Sequence, residues 1–347
     1  PSGKPGGGAG CPQRGAGRLT GWECTLYYIS MYGLEINAMT NLRPFRRWCL
    51  VVAGLLSFCA IGPVSAQDGT VDQDESSSTD ANSETEPPTV NFLGLDAAPL
   101  DEPIVTDRPD FTESTLTVPR GRFQLEAGYT YTHDDEDGVR TGDHLFPEAL
   151  LRVGLVDDWE LRLAWFGWSL TESLSRETND AGRRVDVKEH DDGGTDMSVG
   201  FKTHLIDQDG LIPDFGIIGE LSLPTGAGGK TSGDVDPGMK LLWAYALTER
   251  MSLSGNVNFA VPTSERGRFF QTAASVSLGY TWTDWLGSYV EYFGLYPNDR
   301  GTDCAHTVNG GFTFPITDNL QFDVRAGVGL NEDADDLFAG TGFSRRF

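Results

Sequence analysis

From about Arg122 to the end of the chain, apolar and polar residues alternate one by one. In "RFQLEAGYTY", Phe123, Leu125, Ala127, Tyr129 and Tyr131 share one face, with Gln124, Glu126, Gly128 and Thr130 on the other. In "MSLSGNVNFAV", Met251, Leu253, Val257, Phe259 and Val261 alternate with Ser252, Ser254, Asn256 and Asn258. A period of two is the signature of strands, not helices. Twelve such segments are expected, near 122–133, 145–156, 159–170, 196–206, 211–224, 236–247, 250–262, 269–282, 285–297, 303–316, 319–331 and 336–347. Short connections such as "TD" near 283 and "TD" near 317 alternate with longer ones at 134–144, 171–195, 225–235, 263–268, 298–302 and 332–335. An even strand count, with short turns at one end and longer loops at the other, is the layout of a transmembrane β-barrel. The expected fold class is therefore all-β: a transmembrane antiparallel barrel of about twelve strands spanning 122–347.

A soluble β-sandwich alternates in the same way. Three features favour the membrane barrel. The strands are long enough to cross a bilayer. Trp159, Trp243, Tyr245, Tyr280, Trp282, Trp285 and Tyr296 gather near strand ends, as an interfacial girdle requires. The polar face carries charges of both signs, which a lumen tolerates.

Ahead of the barrel the texture changes three times. Residues 1–38 lack periodicity and read as an extension upstream of a true start at Met39. Residues 39–66 carry Arg43, Arg46 and Arg47, then the apolar run "CLVVAGLLSFCAI", then "GPVSA". That is the order of a secretory signal peptide, with cleavage expected after Ala66. The run is too short to serve as a spanning helix. Residues 67–103 hold ten acidic residues and no Lys or Arg, which suits a disordered acidic linker. Residues 104–121 are a barrel entry segment. Cysteine is sparse: beyond residue 66 only Cys304 remains, so no disulfide framework is expected.

The chain has a formal net charge of −25, which excludes nucleic acid as a partner. The stretch "LPTGAGGKTSGD" (223–234) imitates a phosphate-binding loop. Pro224 stands where that motif needs its first glycine, and no helix pattern follows. It is expected to be a surface loop between strands with Lys230 in water, and no nucleotide or other cofactor is expected.

The charges on the polar face make Glu126, Arg152, Glu160, Arg162, Lys202, Glu220, Lys240, Glu291, Asp323 and Arg325 candidates for lining the lumen. They serve either as a selectivity lining or as a ladder of paired charges filling a narrow lumen. Their mixed signs argue against strong ion selectivity. Asp107, Arg108 and Asp110 form either a turn at the barrel entry, the favoured expectation, or a latch folded into the lumen. The His- and Asp-rich stretches 133–144 and 189–196 match no defined ligand loop, so no metal site is expected there. Phe343 and Phe347 end the chain in a pattern that suits recognition by the barrel-assembly machinery, with Arg345 the departure from it.

"IVTDRPDFTESTLTVPRGRFQLEAGYTYTHDDE" (104–136) resembles the outer-membrane family named for the meta-pathway of phenol degradation. Later stretches follow in order: "GGTDMSVGFKTHL" (193–205), "ELSLPTG" (220–226) and "DPGMKLLWAYALTERMSLSGNVNFA" (236–260). The resemblance implies an outer-membrane barrel passing small, hydrophobic or aromatic solutes by diffusion, with no catalytic residues. A structural or adhesive barrel is the alternative, and an outer-membrane hydrolase is a third. Outer-membrane lipid and a small-molecule solute complete the expected partners.

Overall fold

A computed structural model describes residues 89–347, except 137, 179–182, 265, 300 and 301. The upstream extension, the signal peptide and the first part of the acidic linker lie outside the described residues.

Among the described residues there are fifteen strands: β1 (Phe123–Glu136), β2 (Val139–Val156), β3 (Trp159–Thr178), β4 (Arg184–Gly194), β5 (Met197–Ile206), β6 (Asp214–Leu223), β7 (Asp236–Thr248), β8 (Met251–Ala260), β9 (Thr263–Ser264), β10 (Gly267–Arg268), β11 (Gln271–Thr283), β12 (Leu286–Pro297), β13 (Ala305–Thr317), β14 (Leu320–Gly329) and β15 (Leu337–Arg346). Twelve of them form one antiparallel sheet in sequence order. It closes where β1 pairs with β15, from Gln124↔Arg346 to His133↔Leu337. Strand β4 lies outside this ring, paired only with the far half of β3, and β9–β10 is a small separate hairpin. Closure leaves the twelve-strand ring without a free edge, which is the condition for backbone to sit in lipid.

Side chains then sort by parity. Glu126, Arg152, Glu160, Lys202, Ile218, Leu242, Asn256 and Asp323 are all buried on the inner face. Leu163, Phe201, Leu221, Met239, Val290, Phe312 and Phe322 are exposed on the outer face. This inversion, with ions inside and apolar side chains outside, is the requirement of a wall whose outer solvent is hydrocarbon.

The wall is irregular in one place. The β1–β2 ladder breaks between Glu126 and Thr130. In β2 the Phe146–Pro147 peptide is cis and Glu148 has φ 40°. Opposite it, Gly167 in β3 has φ 98°, and a Cβ there would lie 2.1 Å from the Phe146 carbonyl oxygen. A bulge of this kind inserts one residue and switches faces. Below it Glu148 and Arg152 point inward; above it Leu145, Asp143 and Thr141 are the buried ones.

Two expectations change. The connections 134–144 and 171–195 are largely strand, because β1, β2, β3 and β4 continue as paired ribbons beyond the ring. The end of the acidic linker is folded. Asn91 accepts the amides of Leu93 and Leu95 and donates to the Gly121 carbonyl. Phe92 packs edge-on against Phe123 and Phe347, with centroids 5.2 and 6.0 Å away. The apolar cluster "VNFLGL" gives this end an anchor that the acidic stretch before it lacks.

Candidate functional site

The chain's own entry segment runs through the lumen. The Ile104 amide bonds the Asp318 carbonyl in the short β13–β14 turn. From there the segment enters the barrel, crosses to the wall formed by β11 and β12, and returns past β3 and β5 to begin β1. Irregular backbone at membrane depth is tolerable only where its polar groups find partners, and the inner wall supplies them.

Asp107 is the centre of the first cluster. Its carboxylate lies 2.8 Å from Lys202 Nζ, 2.5 Å from Arg162 Nη1 and 3.5 Å from Arg152 Nη1. Arg152 also binds Glu160 at 2.9 Å and Glu126 at 3.1 Å. Glu126 accepts the backbone amides of Asp107 and Arg108. The carbonyls of Val105 and Leu116 accept from Arg152, so both legs of the segment are tied to one guanidinium. On the return leg Glu113 bridges Arg162 at 2.9 Å and Lys240 at 2.6 Å, and Lys240 reaches Glu220 at 3.3 Å. Val118 donates its amide to Glu160.

Arg108 points the other way. It lies 3.4 Å from both Glu148 and Asp323 and donates to the Thr341 carbonyl. A Cβ on Gly128 or Gly342 would come within 2.4 Å of its guanidinium, so these two glycines form its slot. Arg325 joins Glu148 at 3.3 Å and donates to the Pro109 carbonyl. The far tip of the segment is held differently. Glu291 accepts the amides of Phe111 and Thr112, the Thr112 hydroxyl and the Asn309 amide. Asp110 accepts the Ser277 hydroxyl. The ring of Phe111 stacks on Phe293 with centroids 4.5 Å apart.

One expectation is thereby corrected. Asp107, Arg108 and Asp110 do not form a turn at the entry; they lie within the lumen, because the inner wall supplies both ion-pair and hydroxyl partners. Nine of the ten lumen-lining candidates belong to the ion-pair ladder. Glu291 does not, since it accepts from amides and the Thr112 hydroxyl rather than from a cation.

Beside the segment lies a cavity of about 220 Å³. Its walls combine Phe111, Phe166, Phe293, Leu145, Leu295 and Phe338 with the charged ends of Arg108, Arg162, Lys240, Glu113 and Glu220. Apolar walls carrying a few convergent polar groups are the usual lining of a small-molecule site.

At the long-loop end, the "TGAGGKTSGD" stretch is not free in water. Lys230 is buried, 2.9 Å from Asp191 and 2.9 Å from the Thr171 hydroxyl. Asp196 accepts the amides of Gly226 and Ser232. The loop is folded down onto the root of the β3–β4 ribbon, and the expectation of a solvated lysine fails because that ribbon supplies a carboxylate. Phe343 lies on the outward parity of β15, Phe347 follows the end of that strand, and the Arg345 guanidinium sits 5.0 Å over the Phe347 ring.

Sequence reasoning missed Phe111, Thr112, Glu113 and Asn309. Only Glu113 had an available signal, as a further acid three residues beyond Asp110 in the same segment.

A family model described as "Putative MetA-pathway of phenol degradation" matches residues 106–347. No curated protein sequence matches the chain. Among solved structures, the COG4313 outer membrane channel from Pseudomonas putida F1 is 15% identical, with 69% of this chain and 99% of that one covered and a TM-score of 0.47. The KdgM porin is 13% identical, with 65% and 99% covered and a TM-score of 0.34. The CymD monoaromatic hydrocarbon channel is 8% identical, with 66% and 89% covered and a TM-score of 0.36.

Proposed function

The chain belongs to the family described as "Putative MetA-pathway of phenol degradation", and we propose that it is a passive outer-membrane channel for small solutes, hydrophobic or aromatic ones among them. The observation that carries this role is the cavity beside the lumen segment, with aromatic walls and charged groups of both signs. A phenol or aromatic acid would place its ring against Phe111 and Phe293 and its polar end toward Arg108, Arg162 or Lys240. The closed barrel with its apolar outer band belongs in the outer membrane, short turns toward the periplasm. Export would follow signal-peptide cleavage after Ala66. Phe343 and Phe347 would present β15 to the barrel-assembly machinery.

Asp107, Arg108 and Asp110 act as the latch in this scheme. They hold the segment across the lumen and so limit conduction. The near balance of acids and bases around them favours weak ion selectivity. No enzymatic role is proposed. Among the described residues, the histidine rings meet Tyr129, Tyr292, the Thr141 carbonyl, Glu172, Asp207 and Asp214, and none meets a serine hydroxyl.

Planar-bilayer recording tests the channel. The full chain should give small, stable conductance steps that millimolar aromatic acids reduce. Replacing Asp107, Arg108 and Asp110 together by alanine should enlarge the steps severalfold. Silent bilayers for both proteins would overturn the channel role and leave a structural or adhesive barrel. Unchanged steps in the triple variant would overturn the latch alone.

A further inference from the structure

We propose that His204, Asp207 and Asp214 form a binding site for a divalent transition-metal ion, with zinc as the probe, at the short-turn rim between β5 and β6. Three observations carry it. First, alternation places His204 on the inner face two residues beyond Lys202, and Asp214 on the inner face of the adjoining strand. The register shift between His204 and Ile206 brings the turn residue Asp207 to the same point. Gly216, directly opposite His204, contributes no side chain to fill the space.

Second, the separations suit an ion better than a hydrogen bond. His204 Nε2 lies 3.5 Å from Asp207 Oδ1 and 3.7 Å from Asp214 Oδ1. One potential ligand atom from each residue falls within 4.8 Å of the other two. Charge-assisted hydrogen bonds close to about 2.7–2.9 Å. Ligands about 2.1 Å from a tetrahedral zinc stand about 3.4 Å from one another. Third, the site contains orphaned atoms. The His204 side chain is 8% exposed. Its Nε2, like Asp214 Oδ1, is buried with no hydrogen-bond partner. A buried polar atom without a partner costs about 1–3 kcal/mol, and a bound cation would satisfy both at once.

One imidazole nitrogen and two carboxylate oxygens are a borderline donor set, suited to zinc rather than to calcium or magnesium, which prefer oxygen alone. Water completes the shell on the open side, where Asp207 is 97% exposed. The ion would pin the β5–β6 turn beside the point where the Thr115 carbonyl passes Gly216.

The test uses the full chain in detergent. Zinc bound at equilibrium is measured by elemental analysis after dialysis across a range of free zinc, with the unfolding temperature recorded in parallel. His204→Gln and Asp214→Asn should each bind one equivalent fewer than the unaltered chain. Asp207→Asn should bind that equivalent at least tenfold more weakly. Zinc should raise the unfolding temperature of the unaltered chain and leave His204→Gln unmoved. Because Asp207 is a solvent-facing turn residue, its replacement leaves the barrel folded and decides the matter even if the buried variants fail to assemble. Equal zinc binding by Asp207→Asn and the unaltered chain would overturn the site.

Discussion

Arg152 shows what a buried charge does in this protein. It is fully enclosed and serves Glu160, Glu126, Asp107 and two carbonyls at once. Replacing one partner of a buried ion pair costs about 3–5 kcal/mol, because the other charge is left without compensation. Arg152→Met should therefore lower stability by about that amount, read from urea unfolding of the detergent-solubilised protein. Adding Glu160→Gln should return part of the loss, because the two sites share one network. Parity alone placed Arg152, Glu160, Arg162 and Lys202 on the inner face. Their common partner Asp107 was not legible, since it sits in a segment without period, 55 residues from Arg162 and 95 from Lys202. The role of Glu291 was hidden for the same reason: its partners are backbone amides of Phe111 and Thr112.

At the scale of elements, period two located the twelve barrel strands but not their outer ends. "HDDEDGVRTGDH" and the "EHDDGG" stretch are polar on both faces, so they read as loops. Both lie in β ribbons, paired strand to strand from Asp134↔Thr141 and from Glu172↔His190. A strand in water has no apolar face to show, and only the ladder reveals it. The same ribbon explains the Gly-rich loop. Lys230 meets Asp191 on β4, and its contact with Thr171 ties it to β3. Lys230→Ala should release this loop. Limited proteolysis should then cut within 225–235 at least tenfold faster, with no change in the barrel's mobility on an unheated gel. Equal cleavage of both proteins would mean that Asp196 alone holds the loop.

For the whole molecule, the alternation and the alternating connection lengths were enough to specify a closed antiparallel barrel. They could not specify its contents. A lumen of charged side chains looks the same in sequence whether water or protein fills it. The distinction lies in whether "TDRPDFTEST" finds partners inside, and those contacts reach from β1 to β15. The purified protein should give a β-rich circular dichroism spectrum in detergent, migrate faster on a gel when unheated, and begin at Gln67 by mass spectrometry. A helical spectrum would defeat the barrel. An intact leader on protein recovered from the outer membrane would defeat the cleavage expectation.

The lumen segment also bears on the order of assembly. It precedes every barrel strand in the chain, yet Glu291, Asp323 and Arg325, which hold its tip and Arg108 arm, lie in strands near the chain's end. Its contacts with β2, β3 and β5 become available early; those with β12 and β14 exist only after most of the wall has formed. The final seam, β1 against β15, flanks Arg108 through Gly128 and Gly342. Sealing the cylinder and seating its filling are thus coupled events. A segment left outside at that moment would have to enter through the open short-turn end, where its own first residues are tethered.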